Sequence, residues 1–528
     1  MFSYRIAALF CMLLALMLFS CDGPSEDSDD SGGDNDQDGT TPDDDVQTDD
    51  DQTTDDDSTG PLDLQIYVDE PFAGNPLARR LRIYSNVPCS LSGFATTDGE
   101  PGRSPSSPRA TATGTYHALW FYGLLAESAF NYTIFLADQP DAPLAVGEFE
   151  TPSLPNWAPK PIKINNTADA APDTWVAMLI NSTGDVDGDY SPDRVNLIQI
   201  LDREGRARFF HNVTEDLQGF MEGLTVLSNG DLAWSNRSDV VATGPTGVDY
   251  LLFDVQLDEP CGISSHHQGY YWLKPEKGAI TLFNLKGPGV ECDLTTPTEN
   301  TVADGVAWLD ETGQEIKRWT FFDVPDAIPP ELQNPCNCDH SLWGPGTYDF
   351  SHANSVFSVD DGAAVLISSR NLSRIIKVDA ESGEVIWQLG KDLDFTWISS
   401  EPEKDRWFYL QHDARWLPNN HLLVFDNSSS RYRECWKNPW SRGLELEVDE
   451  EAMTVRQVWE HRVPYSAANG SVTRLSNGNT LIAGGWNGVI VEAAPDGREV
   501  WSIEYLIILQ LPDIYNARPY RALWDYEN

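Results

Sequence analysis

From Asn196 to Trp501 the chain returns again and again to one pattern: a strand, a turn of the Asp-x-x-Gly type, and a second strand that often ends in an aromatic residue. It reads NLIQILDREGRARFF at Asn196 to Phe210 and VAWLDETGQEIKRWTF at Val306 to Phe321. It returns as IIKVDAESGEVIWQLG at Ile375 to Gly390, more loosely at Leu444 to Trp459, and closes as VIVEAAPDGREVW at Val489 to Trp501. A partner unit lies between these, with a lead residue, a strand, an Asn-Gly-like turn and a strand, as at Gly223 to Ser235 and Gly470 to Gly485. Two such units make a four-stranded antiparallel sheet, and a repeat of this kind means stacked copies. Lead positions Glu222, His267, His352, His412 and Gly470, with an opening sheet from Trp175, count to about six. Sheets of this size leave bare edges unless they close on themselves. The expected fold is therefore all-β, a six-bladed β-propeller over 156–528.

A smaller unit precedes it. Leu62 to Val68, Arg80 to Tyr84, Tyr116 to Phe121 and Asn131 to Leu136 alternate in polarity and are separated by Gly, Pro and Ser clusters. That is the pattern of a small β-sandwich over 61–155. Leu125 and Tyr132 look like the corner before a late strand in fibronectin-type domains, and the unit reads as a scaffold. Thr151 to Pro161 carries four prolines and marks the boundary.

The first residues read as an export signal. Arg5 is followed by an apolar run from Ile6 to Ser20, short for a membrane span, and Leu18-Phe19-Ser20-Cys21 resembles a bacterial lipobox. Residues 1–21 are then a lipoprotein signal, with Cys21 as the lipid attachment. Asp22 to Asp57 holds 17 acidic residues and no Lys or Arg, so 22–60 is a solvated, self-repelling tether. The expected location is exported and membrane-anchored, on the periplasmic side or the cell surface. The net charge of −48 over 528 residues argues against nucleic acid as a partner. Cys261, Cys292, Cys336, Cys338 and Cys435 cluster in the second half, and loop-stapling disulfides are expected there; Cys89 stands alone.

Two histidines occupy the same place in the repeat. His412 leads QHDARWLPNNHLLVFDN at Gln411 to Asn427, and His352 leads SHANSVFSVDDGAAVLISSRN at Ser351 to Asn371. A lead residue at a strand's mouth can face a pocket while the strand behind it stays buried. Inner strands of a propeller lean toward one axis, so lead residues far apart in sequence should meet. His117, His211, His340, His421 and His461 occupy no such position and read as structural or surface.

Four segments in order, His352-Ala353-Asn354-Ser355-Val356, Ser368-Ser369-Arg370-Asn371, Gln411-His412-Asp413-Ala414 and Leu423-Val424-Phe425-Asp426-Asn427 with Ser430-Arg431, make the chain similar to the bacterial aryl-sulfate sulfotransferases of the PAPS-independent type. The resemblance covers most of 165 to 528, and the sandwich also resembles that family's N-terminal domain. It implies a site at the central channel, an aryl sulfate donor and a phenolic acceptor. His412 would attack sulfur and become a transient sulfohistidine, giving ping-pong kinetics. Neutral imidazole is a good nucleophile near neutral pH. Arg370 would offer a cationic fork to the sulfuryl oxygens, Asn354 an amide donor, and His352 a ring N–H or a protonated cation. His267 would bind sulfate or shuttle the phenol proton. The family's first histidine is usually followed by Asp. Here the run is His266-His267-Gln268, either histidine fits, and His267 is preferred.

Asp185, Asp187 and Asp189, with Asp193 four residues on, resemble a calcium loop, although the distal Glu of an EF-hand is missing; a solvated acidic loop is the other reading. No cofactor is expected beyond that candidate ion, and no nucleotide-phosphate loop is found. A homodimer is left open. Two other functions fit parts of the chain. A non-catalytic lipoprotein propeller could bind a partner or carbohydrate, since fold alone proves no chemistry. A quinoprotein-like dehydrogenase would explain the Trp-ended repeats but not convergent histidines.

Overall fold

The computed structural model describes residues 61–98, 110–172, 174–184, 193–213, 221–236, 239–255, 271–272, 278–286, 300–321, 347–349, 351–402, 405–428, 439–506 and 513–520. These residues are all-β. The signal segment, the acidic tether, Asp185, Asp187, Asp189, His266, His267, His340, Ser430, Arg431 and the five clustered cysteines lie outside them. Asp193 opens a strand.

Every tandem unit expected from the sequence is a hairpin. Arg374–Asp379 and Val385–Gly390 pair through the Asp379 turn, and Val489–Ala493 pairs with Glu499–Tyr505. Asp379 Oδ1 accepts the backbone N–H groups of Glu381 and Ser382, and Asp310 Oδ1 does the same for Thr312 and Gln314. That is why the turn begins with Asp: its carboxylate satisfies N–H groups the tight turn leaves over.

Among the described residues between Pro161 and Tyr520 the hairpins assemble into six sheets, each of four or five strands on its main path. The first sheet takes Trp175–Gly184, Asp193–Leu201 and Ala207–Asn212. The fourth is Ala353–Val359, Ala364–Ser369, Arg374–Asp379 and Val385–Gly390. The fifth begins with His412–Leu417 and His421–Asp426, and the sixth with Ser471–Arg474 and Thr480–Ala483. Two pairings join distant parts of the chain. The C-terminal strand Asp513–Tyr520 adds to Trp175–Gly184 of the first sheet, and Pro161–Asn166 adds to Glu499–Tyr505 of the sixth.

Six apolar clusters lie between successive sheets. Ile280, Val306 and Trp319 of the third pack on Val356, Ile367 and Ile376 of the fourth, and Leu366 and Trp387 of the fourth on Leu422 and Leu444 of the fifth. Leu423 and Trp459 of the fifth meet Val472 and Ile482 of the sixth, and Leu481 and Trp501 of the sixth meet Met178 and Leu197 of the first. Clusters around Trp234 and around Val240 with Phe283 join the first sheet to the second and the second to the third.

A row of polar contacts stitches the leading strands together. Ala353 N–H donates to Asp304 Oδ2 at 2.6 Å, Ala414 N–H to Ser355 Oγ at 3.1 Å, Val472 N–H to Asp413 Oδ2 at 2.9 Å, and Ala517 N–H to Ser471 Oγ at 3.0 Å. In each, a polar side chain of one sheet accepts a backbone N–H of the next, so buried strand edges are not left unpaired.

The described residues of 62–98 and 110–151 form two three-stranded sheets. One orders Leu64–Val68, Arg79–Cys89 and Gly114–Phe121; the other orders Leu91–Thr96, Ala129–Leu136 and Pro143–Glu150. They share a core of Leu81, Ile83, Leu91, Leu119, Phe130 and Ile134. Leu125 and Tyr132 are buried in it, and Cys89 is a free, buried thiol. The two parts of the chain touch. Asn75 Nδ2 donates to Pro245 O at 2.8 Å, and His211 lies between Gly74 O at 2.8 Å and Asp249.

Candidate active site

His412 is the first residue of its strand, paired with Phe425 across the hairpin. The next aligned pair is Arg415 with Leu423, so Asp413 and Ala414 together oppose one residue, Val424. This is a β-bulge, the device that re-aims a side chain in a strand. The bulge puts Asp413 at φ 50, a left-handed conformation that strains a non-glycine residue. The equivalent strand of the fourth sheet has the same irregularity between Ala353 and Ser355, with His352 at φ 44 just before it.

Asn427 defines the state of the His412 ring. Its Nδ2 donates to Ser466 O at 3.1 Å and to Asn469 O at 3.0 Å. Two carbonyl acceptors fix which end of the amide is nitrogen. Asn427 Oδ1 therefore faces His412 Nδ1, at 2.7 Å, and can only accept. Nδ1 carries the hydrogen and Nε2 the lone pair. That lone pair receives the backbone N–H of Asn469 at 3.3 Å, a long bond. The side chain is 1 % exposed. The sequence led us to expect a histidine open to a pocket. The structure instead buries it beneath the Ser466–Gly470 segment, because the bulge turns it toward Asn427.

Burial holds the His412 pKa down to about 3, and the positive charge of Arg370 lowers it further, with His352 adding to this; the Asn427 bond acts in the opposite direction. Three of the four residues expected to share a site, His412, His352 and Arg370, are thus electrostatic neighbours; the fourth, His267, lies outside the described residues. Arg370 is half-buried. Its backbone N–H donates to His352 O at 3.0 Å, its Nη1 to Asn371 Oδ1 at 2.9 Å, and its Nη2 reaches Ala467 O at 3.5 Å. His352 is clamped on both sides by Asp304, which accepts Ser351 Oγ at 2.5 Å and Ala353 N–H at 2.6 Å.

Asn354 sits elsewhere than expected. Its side chain is fully buried and Nδ2 donates to Gln411 O at 2.6 Å. It holds the peptide that precedes His412. Gln411, also fully buried, donates to Ser368 Oγ, Ser369 O and Arg374 O, tying the same peptide to the fourth sheet. His421 and His461 are structural as read, on Glu445 at 2.6 Å and Gly497 O at 3.0 Å. His117 is buried beside Ser85, Cys89 and Thr111. Among the described residues no group of three or more His, Cys, Asp or Glu is placed to hold a metal ion.

Sequence reasoning assigned no role to Asn427, Asn469, Asp304 or Asp413. Asn427 ends the quoted motif, and its place two residues beyond His412's cross-strand partner was the available signal. Asn469 lies in the segment that links the fifth sheet to the sixth, Asp304 lies on the third sheet, and neither left one.

A model of the arylsulfotransferase (ASST) family matches residues 178–505. The chain belongs to the arylsulfotransferase family. Aryl sulfotransfer is the activity that membership implies, with aryl sulfate and phenol as the substrate classes. No curated protein matches the chain. Among solved structures it is similar to a Bacteroides caccae protein of unknown function, at 12% identity and TM-score 0.39 over 66% of this chain and 99% of that one. It is also similar to a Pseudomonas aeruginosa periplasmic gluconolactonase, at 10% identity and TM-score 0.34 over 65% and 99%. A third is a Staphylococcus aureus virginiamycin B lyase, at 11% identity and TM-score 0.30 over 66% and 88%.

Proposed function

We propose that this arylsulfotransferase works by two displacements at sulfur, with His412 Nε2 as the nucleophile. The observation that carries the reading is the Asn427 contact, which leaves Nε2 as the unprotonated nitrogen of a ring that feels the charge of Arg370. In the first step an Nε2–S bond forms and the aryl O–S bond breaks. The phenolate leaves with the electron pair and takes a proton from His352 or His267. In the second step the acceptor phenol gives its proton to that base and its oxygen attacks sulfur. The N–S bond breaks and the lone pair returns to Nε2. Arg370 balances the charge on the sulfuryl oxygens, and Asn427 Oδ1 accepts from the ring N–H while the ring carries positive charge. No nucleotide and no redox partner enters the balance. The Asn469 N–H, 3.3 Å from Nε2, must leave that nitrogen before attack.

The six sheets are read as blades of a propeller and residues 61–155 as a sandwich scaffold. Support comes from apolar clusters that join each sheet to the next and the sixth to the first. Cys21 is proposed as a lipid anchor that displays the protein on an exported membrane face, on the strength of the lipobox-like segment and acidic run.

A second reading, a non-catalytic propeller that binds a partner or carbohydrate, draws on one observation: His412 is buried with both ring nitrogens engaged. One assay separates the two. The purified protein is mixed with 4-nitrophenyl sulfate, with and without phenol. The catalytic reading expects nitrophenol release that rises with phenol and vanishes in His412→Ala. It also expects a one-SO3 gain in intact mass after donor alone. Turnover that survives His412→Ala sinks the nucleophile; no release under any condition favours the binding reading.

A further inference from the structure

Asp413 follows the proposed nucleophile, and its carboxylate gathers donors from three other places in the chain. Arg518 of the C-terminal strand donates from Nη1 at 2.9 Å and Nη2 at 3.1 Å, a two-pronged pair. Arg415 Nε lies at 3.1 Å on the same strand, and Val472 N–H of the sixth sheet at 2.9 Å. Arg518 also donates from Nε to Leu224 O of the second sheet at 3.2 Å. Both side chains are almost fully buried. Arg518 thus belongs to the first sheet, reaches past the sixth to the fifth, and holds the second as well.

This arrangement meets a local need. The bulge removes ladder hydrogen bonds at the residues that orient His412, and Asp413 carries a strained φ. Backbone of that kind persists only where its surroundings over-determine it. The carboxylate supplies the anchor. Burial alone would raise the Asp413 pKa, but Arg415 and Arg518 hold it below the usual carboxylate range, so the anchor stays ionised.

We infer that Arg518 is a positioning residue: its two-pronged bond to Asp413 sets the bulge that aims His412, so the site is complete only when the C-terminal strand has docked. The inference rests on the reading of His412 as nucleophile. Arg518 touches no reacting atom. The residue that completes the aim of His412 lies 106 positions later in the chain, on the last strand described.

The test compares two buried arginines in the full-length protein. Arg203 pairs with Glu492 at 2.6 Å and bridges the first and sixth sheets, so it is matched to Arg518 in burial and in linking sheets, but it makes no bond to the bulge. Arg518→Met should lower kcat by about tenfold or more with KM changed by less than about twofold, since a nucleophile misplaced by a fraction of an ångström slows chemistry rather than binding. Its acid limb should move to higher pH, because Asp413 then keeps Arg415 as its one cationic partner beside the Val472 N–H. Arg203→Met should lower Tm comparably and keep kcat within about twofold when assayed below that Tm. If Arg518→Met does not fold, Arg518→Lys, which keeps the charge and loses the fork, carries the same kcat-against-KM reading. An Arg518 variant with parental kcat, or an Arg203→Met loss as large at equal folded fraction, overturns the inference. His412→Ala run alongside keeps the failures apart: if it stays active, the nucleophile reading fails; if it is dead while Arg518→Met is normal, the inference alone fails.

Discussion

His412 Nδ1 and Asn427 Oδ1 stand 2.7 Å apart across one hairpin, and Asn427 is held by two carbonyls of the Ser466–Asn469 segment that links the fifth sheet to the sixth. One amide therefore decides which imidazole nitrogen keeps its lone pair and fastens the segment that covers it. Replacing Asn427 by Ala should free the ring to take the other tautomer and lower kcat by roughly 10²-fold. Replacing it by Asp should hold an imidazolium instead and move the acid limb of the pH–rate profile upward. Initial rates with 4-nitrophenyl sulfate between pH 4 and pH 9 (about the assay's usable range) distinguish the two substitutions.

The buried, neutral imidazole also makes stability depend on pH. The folded-state pKa of His412 is depressed to about 3 from 6.5. Between those values the unfolded chain binds the extra proton and the folded one does not. The neutral ring's contribution is fully present above about pH 6.5 and is lost as pH falls toward 3, by up to about 1.4 kcal/mol per pH unit. In a His412→Gln variant this share of acid sensitivity should disappear. Urea unfolding at pH 7 and pH 4.5 (rough bracketing values) should show a smaller pH difference for the variant than for the parent.

Gly470 is the next point of control. Its φ is 111, and a Cβ placed there would meet the Phe425 ring at 2.4 Å. Phe425 is the cross-strand partner of His412. Gly470→Ala should strain the backbone by about 1–3 kcal/mol and shift Asn469 N–H away from Nε2. The expected result is a lower Tm together with a changed kcat, and a Tm loss with unchanged kcat would remove Asn469 from the site.

Behind Asn427 sits a wholly buried ion pair. Arg442 Nε donates to Asp426 at 2.9 Å, and its other nitrogens reach Glu460, Gln457, Asp405 O and Trp407 O. Asp426 in turn accepts Tyr409 N–H and Ser428 N–H. Arg442→Met strands Asp426 without its cation and should cost about 3–5 kcal/mol. Thermal unfolding of the full chain measures it, and a Tm within about 2 °C of the parent would contradict the burial argument.

Much of the architecture was readable from local pattern. The turn aspartates at Asp310 and Asp379 announced their hairpins, because a tight turn needs an acceptor for its spare N–H groups whatever surrounds it. The nearness of His352 and His412 was expected from their equal places in the repeat, while Arg370, which leads no strand, entered only through the family resemblance. The expected role of Asn354 was not borne out by its position, since the pattern shows that a residue leads a strand but not which carbonyl its amide will find. His412 was expected at an open mouth and is buried, because the bulge at Asp413 depends on partners in other sheets.

Chain order alone decided the all-β class, the hairpin pairs and the family, because alternation, turn chemistry and repeat spacing act between near neighbours. Three-dimensional closure decided the rest. It brought Asp513–Tyr520 against Trp175–Gly184, placed Arg518 on Asp413, and turned Asn427 so that one nitrogen of His412 keeps its lone pair. Each of these contacts depends on where separate sheets meet, and no short-range preference along the backbone encodes that meeting.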